Sequence, residues 1–141
     1  MADENQLEYY PIVAPLIGFL GAVASIVFSA FGAAYGTARS MLGIAEVALV
    51  RPSMIMKSIV HVVMAGVLAI YGLVIAIIIA GRIEKPPGYS LLSGFSHLAA
   101  GLTMGLSGLA GGCCIGVIGD CCTRATGMYG LISALLMTTK G

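Results

Sequence analysis

The side chains in this sequence that could do chemistry are six carboxylic acids, two histidines and four cysteines. An acid or histidine held at the centre of a membrane could carry a proton, because its pKa changes with its surroundings. His61, four residues after Lys57, is the candidate for such proton binding, ahead of His97. The simpler interpretation of His61 is a histidine at a helix end that contacts headgroups or a carbonyl group. The acids lie in the N-terminal tail, in loops or at the end of an apolar stretch: Asp3, Glu4, Glu8, Glu46, Glu84 and Asp120.

The cysteines form two adjacent pairs, Cys113-Cys114 and Cys121-Cys122. Seven or eight residues make two helical turns, so members of both pairs share a helix face. Zinc sites usually combine closer cysteine spacing with ligands from a second element, and we therefore expect no metal. Small apolar side chains near a helix end are the simpler interpretation, and reversible acylation of the second pair is the alternative. The sequence contains no nucleophile and base pair and no phosphate-binding loop, so we expect no cofactor and no covalent catalysis.

Composition indicates which elements must position these side chains. Hydrophobic residues make up 59% of the 141 residues and charged residues only 9%, against roughly a quarter charged in soluble domains. Three uncharged stretches exceed the roughly 20 residues that span a bilayer: 9–38, 58–81 and 86–119. A fourth stretch, 125–139, has 15 residues and would reach only about 22 Å as a helix. The sequence therefore predicts an all-α membrane protein with three full transmembrane helices and a short fourth.

Charge gives the expected orientation and excludes one class of partner. The first ten residues carry three acids and no basic residue, which is not typical of a cleaved signal peptide. A net charge of +1 argues against nucleic acid as a partner. Four basic residues on the side of the first loop against three on the other favour a cytosolic first loop with lumenal or external termini. Basic residues of that loop, Arg39, Arg51 and Lys57, are expected to anchor helix ends at headgroups.

Small residues form a stripe along two of the predicted helices. In a membrane, such stripes let helix backbones approach closely enough for dispersion to hold them together. Two stripes in a chain this short favour an assembly of many such helices, although packing within one small bundle would explain them too. The predicted ring-packing glycines are Gly18, Gly32, Gly36, Gly101, Gly105, Gly108, Gly112 and Gly116, with Ala22, Ser25 and Ser29 completing the first stripe.

The sequence also contains an internal repeat. Residues 28–36 align with 106–114 at an offset of 78, and residues 69–78 align with 127–136 at an offset of 58. The difference of 20 residues predicts that the second repeat has lost about one membrane-spanning length. We therefore expect an acidic tail at 1–8, a first helical hairpin at 9–85 and a second, shortened hairpin at 86–141. Tyr71 and Tyr129, which match in the repeat, are predicted to lie in helix-pair contacts.

Four segments, in order and over nearly the whole chain, resemble the proteolipid of the eukaryotic vacuolar-type proton-pumping ATPase. They are FSAFGAAYGTARS, RPSMIMKSIVHVVMAGVLAIYGLVIAIIIA, AAGLTMGLSGLAGGCCIGVIGD and YGLISALLMTTK. The resemblance implies tandem helical hairpins that assemble with other proteolipid subunits into a membrane rotor ring. It also implies contacts with a membrane stator subunit, cytosolic stalk subunits and the bilayer, in a vacuolar or other acidic endomembrane. ATP would be hydrolysed in the peripheral sector and not by this chain.

One feature of that family is absent from the sequence. The family carries a proton-binding glutamate five residues before the tyrosine of the last helix, whereas five residues before Tyr129 stands Arg124, which belongs to the end of the third helix. The glutamate falls in the missing segment, and its repeat counterpart, Gly66, cannot ionise. The resemblance implies a protein that contributes to proton translocation. The residues leave open a non-conducting structural or regulatory ring member, or a truncated product.

Overall fold

A computed structural model describes residues 4–83 and 89–140, and in the helices the side chains of 4–12, 126, 127, 130, 131 and 134–140 are outside that description. The described residues form three long helices: α1 at Glu4–Val50, α2 at Ile55–Gly81 and α3 at Leu91–Lys140. A single 3₁₀ turn, Pro52–Met54, joins α1 to α2. Parts of all three helices are long and apolar enough to cross a membrane: Val13–Val50, Pro52–Gly81 and Leu91–Ala125. The predicted all-α membrane fold with three full spans is confirmed.

The connection between α1 and α2 is determined by Pro52. A proline disfavours helical backbone in the residue before it, and Arg51 has extended dihedrals, with φ −145° and ψ 92°. The Arg51 N–H donates the last hydrogen bond of α1 to the Val47 carbonyl at 2.8 Å. The Met54 N–H then donates to the Arg51 carbonyl at 3.2 Å, which starts the turn that reverses the chain. The first predicted hairpin therefore has a tight connection.

Helices α1 and α3 pack side by side in the same direction. Ala14 lies against Gly94, Gly21 against Gly101, and Gly43 against Asp120, so contacting residues differ in number by 80, 80 and 77. The offset of 78 found between the first and third predicted helices is thus close to the register in which they pack. The two repeats place their first helices as parallel neighbours.

The interior of this bundle is thin and contains small side chains. Ala14 and Ala65 are fully buried, and so are Ser25, Ser29 and Ser40. Large apolar side chains point outward, as shown by Leu49 at 89% exposed and Leu92 at 82%. This distribution suits a protein whose outer surface is solvated by lipid tails, because lipid removes the need to bury large apolar groups.

The predicted short fourth helix is not a separate element, and this part of the prediction was wrong. Helix α3 continues without a break from Leu91 through the expected third turn to Lys140. Residues 120–127 contain no proline to stop the helix, and the Arg124 guanidinium bonds to Asp120 one turn earlier at 2.8 Å. The predicted gap of about 20 residues would join the end of one helix directly to the second half of the next. From Leu91 to Lys140, within the predicted shortened hairpin at 86–141, the structure has one long helix.

Candidate functional site

The contact between α1 and α3 depends on the absence of side chains. A methyl group on Gly101 would overlap the backbone of Gly21, and one on Gly112 would overlap the Gly32 carbonyl. Only glycine allows backbones to lie this close. All the predicted stripe residues are buried: Gly18, Ala22, Ser25, Ser29, Gly32, Gly36, Gly101, Gly105, Gly108, Gly112 and Gly116.

The close packing predicted from the stripes is therefore present, with both partners in one chain. The alternative of packing within a single bundle accounts for these contacts. A contribution of the same glycines to contacts between ring subunits stays a prediction.

Two serines of α1 link it to α2 inside the membrane. Ser25 Oγ donates to the Gly72 carbonyl at 3.1 Å, and Ser29 Oγ donates to the Leu68 carbonyl at 2.5 Å. Ser29 lies where all three helices meet, because a methyl group on Gly108 of α3 would come within 3.0 Å of its Oγ. The sequence placed both serines in the packing stripe but did not indicate these hydrogen bonds.

The centre of α2 carries no ionisable side chain. Gly66 lies 14 residues after the start and 15 before the end of the Pro52–Gly81 span. A methyl group added at Gly66 would have no atom within 4 Å. The structure therefore leaves open space at this position, which lies five residues before Tyr71.

The described carboxylates lie away from this central level, near the ends of the α1 and α3 spans, where both bond to one arginine. Arg124 Nε donates to Asp120 Oδ1 at 2.8 Å, and its Nη2 lies 3.1 Å from Glu46 Oε1 of α1. Both pairs are partly exposed, so solvent screens their attraction and we expect each to stabilise the fold only weakly. Neither acid lies near the level of Gly66. Glu84 lies outside the described residues, as do the side chains of the acids in the N-terminal tail.

His61 lies near this charged end, as the sequence predicted. Its Nδ1 is 3.3 Å from the Ser58 carbonyl, which can only accept, so Nδ1 carries a hydrogen if that bond forms. His61 lines a pocket of about 250 Å³ with Met54, Lys57, Ser58, Cys122 and Thr123. A methyl group on Gly119 would lie 3.2 Å from His61 Cβ and 2.5 Å from Ser40 Oγ. These contacts agree with a helix-end histidine, and proton transfer by His61 stays untested.

At the opposite end, Tyr89 and His97 form a pair that the sequence did not reveal. Tyr89 Oη lies 2.5 Å from His97 Nδ1, and the two rings stack with centroids 5.8 Å apart. Tyr89 is only 6% exposed, and burial raises the pKa of its phenol. Gly18 makes room for the pair, since a methyl group there would lie 2.7 Å from the Tyr89 oxygen. Tyr89 and His97 are eight residues apart, and the helix starts between them, so no helical periodicity in the sequence predicts their contact.

The remaining predicted residues are not gathered into a site. Tyr71 and Tyr129 are 52% and 75% exposed, and their part in helix-pair contacts stays a prediction. Cys114, Cys121 and Cys122 are exposed and Cys113 is half-buried, and none of the four forms a disulfide. In the parts of the chain that the structure describes, no three metal-ligating side chains cluster.

Comparison with known proteins gives matches over nearly the whole chain. Residues 20–79 match the family described as the C subunit of ATP synthase. The 16 kDa proteolipid of the V-type proton ATPase of Nephrops norvegicus, its c subunit, is 47% identical, with 94% of this chain and 96% of the relative covered. The c' subunit of the V-type proton ATPase of Eremothecium gossypii is 41% identical over 100% of this chain and 98% of the relative. The c' subunit of Neurospora crassa is 45% identical over 99% and 96%.

The length of one alignment supports the predicted gap. The match to the Eremothecium gossypii protein extends over 161 positions and includes all of this chain, which has 141 residues. Twenty positions therefore have no residue here, the number obtained from the difference between the two repeat offsets.

Proposed function

The chain belongs to the family of proteolipid subunits of V-type proton ATPases, and from this membership we propose that it is a subunit of a membrane rotor ring. In that ring it contributes to proton translocation across a membrane, driven by ATP hydrolysis in the peripheral sector. The observation that carries the proposal is the 41–47% identity to V-type c and c' proteolipids over nearly the whole of both chains. The three membrane-spanning helices agree with it.

The parallel packing of α1 and α3 supports a ring role for this part of the chain. Two equivalent helices in one chain, in the same direction and at a fixed register, are the unit that a ring repeats from subunit to subunit. The buried serine hydrogen bonds to Leu68 and Gly72 hold α2 against this pair. We propose that α1 and α3 continue the inner layer of the ring and that α2 lies on its outer side.

Proton transfer by such a ring needs a group that is neutral toward lipid and ionised toward an aqueous channel, and a carboxyl with a raised pKa meets this need. Among the described residues, no carboxyl lies at the level of Gly66. We therefore propose that neighbouring proteolipids supply the carboxyls and that this chain maintains the continuity of the ring between them. A ring turns as one body, so it can carry protons at some positions and none at others.

The partners and membrane follow from the same proposal. A membrane stator subunit would face the outer side of the ring, and cytosolic stalk subunits would contact the end that carries Arg39, Arg51 and Lys57. The location would be a vacuolar or other acidic endomembrane.

Co-expression with a proteolipid that retains its glutamate tests this function. We expect both chains in purified rings, with ATP-driven acidification of vesicles falling as the share of this chain rises. Exclusion of the chain from rings would contradict the proposal. Full pumping by rings made only of this chain would contradict the assignment of the carboxyls to its neighbours.

A further inference from the structure

The pocket between the start of α2 and the end of the α3 span has the features of an anion site at a membrane surface. It has a volume of about 250 Å³ and is lined by Lys57, His61 and Cys122, together with Met54, Ser58 and Thr123. Lys57 and His61 lie in the first turns of the Pro52–Gly81 span, and Cys122 lies in the last turn of the Leu91–Ala125 span. Both helices therefore bring the pocket to the same face of the bilayer.

The donors available in the pocket are cationic or can become so. Ser58 Oγ donates to the Met54 carbonyl, and Thr123 Oγ1 donates to the carbonyls of Gly119 and Asp120. These hydroxyl hydrogens are engaged within their own helices. An exposed Lys57 ammonium offers three hydrogens. His61 has Nδ1 directed to a backbone carbonyl, so Nε2 is the ring nitrogen left for a ligand, and it donates to an anion only when the imidazole carries both hydrogens.

The charges around the pocket favour an anion. Four basic residues lie at this end of the described bundle, against two carboxylates: Arg39, Arg51, Lys57 and Arg124, against Glu46 and Asp120. Both carboxylates are paired with Arg124, at 3.1 and 2.8 Å. They are thereby partly neutralised.

Apolar surface continues from the pocket toward the centre of the membrane. On α2, Val60, Val63 and Met64 are 56%, 59% and 57% exposed. A ligand with a phosphate at the level of Lys57 and hydrocarbon alongside the next turns would match both parts. We propose that this pocket binds the headgroup of an anionic membrane phospholipid, with its phosphate at Lys57 and His61 and its acyl chains along α2. Basic pockets between transmembrane helices have this chemistry.

Native mass spectrometry of the full chain in detergent tests the proposal directly. The chain is titrated with dioleoyl phosphatidylglycerol, with dioleoyl phosphatidylcholine, or with inorganic phosphate. We expect preferential retention of phosphatidylglycerol and a roughly five- to tenfold weaker affinity in Lys57→Gln, from the loss of one cation near the headgroup. Arg82→Gln, which removes an exposed cation at the other end of α2, is the matched control and should retain the affinity. Equal weakening in the two variants, or equal retention of both lipids, would overturn the proposal.

Cysteine labelling locates the bound lipid. Cys122 lines the pocket, whereas its exposed neighbour Cys121 does not. In variants that retain one of these cysteines, with alanine at the other three, phosphatidylglycerol should slow the maleimide labelling of Cys122 several-fold and leave that of Cys121 unchanged. Equal protection of the two thiols would place the lipid elsewhere. Protection of Cys122 by inorganic phosphate alone would assign the pocket to a free anion. These measurements use the isolated chain and do not depend on proton transport.

Discussion

Adjacent glycines on α3 have opposite surroundings, which makes them a direct test of the α1–α3 contact. A methyl group on Gly112 would overlap the Gly32 carbonyl, whereas one on Gly111 would meet Leu68 methyl carbons at ordinary distances of 3.5 and 3.8 Å. We expect Gly112→Ala to lower the free energy of unfolding by about 1–3 kcal/mol through overpacking. Gly111→Ala should be neutral or stabilising by up to about 1 kcal/mol, since alanine favours a helix. Unfolding in mixed micelles measures both, and equal effects would contradict the backbone contact.

The hydroxyl of Ser29 provides a second test at this scale. Its bond to the Leu68 carbonyl joins two helices, whereas the hydroxyl of its repeat counterpart, Ser107, donates to Met104 within α3. Ser29→Ala should destabilise the fold by about 0.6 kcal/mol, and by no more than about 2 kcal/mol. Ser107→Ala should change stability little. A larger loss in Ser107→Ala than in Ser29→Ala would show that the interhelical bond does not stabilise the bundle.

Individual residues were predictable where their type repeats with a period. The stripes could be found because small residues recur every three or four positions and face one side of a helix. The sequence did not show whether the facing partner lies in the same chain, because spacing alone gives no distance. Arg124 and Asp120 are four residues apart, as in a helical ion pair. The sequence would have predicted this pair only if the helix had been expected to continue past Asp120.

At the scale of elements, the unbroken α3 replaces the predicted turn and short helix. Labels on Leu106 and Ile132, both exposed, are 26 residues apart along α3 and would be separated by about 39 Å at 1.5 Å per residue. Pulsed electron spin resonance on the labelled chain, with its four native cysteines replaced, should give a distance near this value. A hairpin that turns near Asp120 would bring the labels within about 15 Å, and such a distance would contradict the continuous helix.

The existence of the helices was predictable from long apolar stretches, and their parallel order from the repeat. The sequence did not predict the structure of the last 15 uncharged residues. Their length fails to span a bilayer, but length does not distinguish a separate short helix from the continuation of α3. We attribute the absence of a turn to the predicted gap, which would remove the turn and the first half of the next helix and let the helix continue through the residues that remain.

At the scale of the whole molecule, two glycines of α2 have room for a larger side chain. Glutamate at each of them tests whether proton transport depends on the depth of a carboxyl in the membrane or only on its presence. Neither Gly66 nor Gly81 has an atom within 4 Å of an added methyl group. Gly66 is central in the span and Gly81 ends it. Rings made only of this chain should not acidify vesicles. Gly66→Glu should introduce measurable ATP-driven acidification, and Gly81→Glu should not, because only a central carboxyl exchanges between lipid and an aqueous channel. Pumping by the unmodified ring, or equal pumping by both variants, would contradict the account.

We expect this chain to assemble, at its present length, into a proteolipid ring. Mass spectrometry of the membrane sector, purified through a tag on a subunit that is not a proteolipid, tests it most directly. We expect a ring component with the mass of this chain, 14.4 kDa, alongside heavier proteolipids. A membrane sector that lacks this species would contradict the account, as would one in which the corresponding chain is heavier by the 20 missing positions.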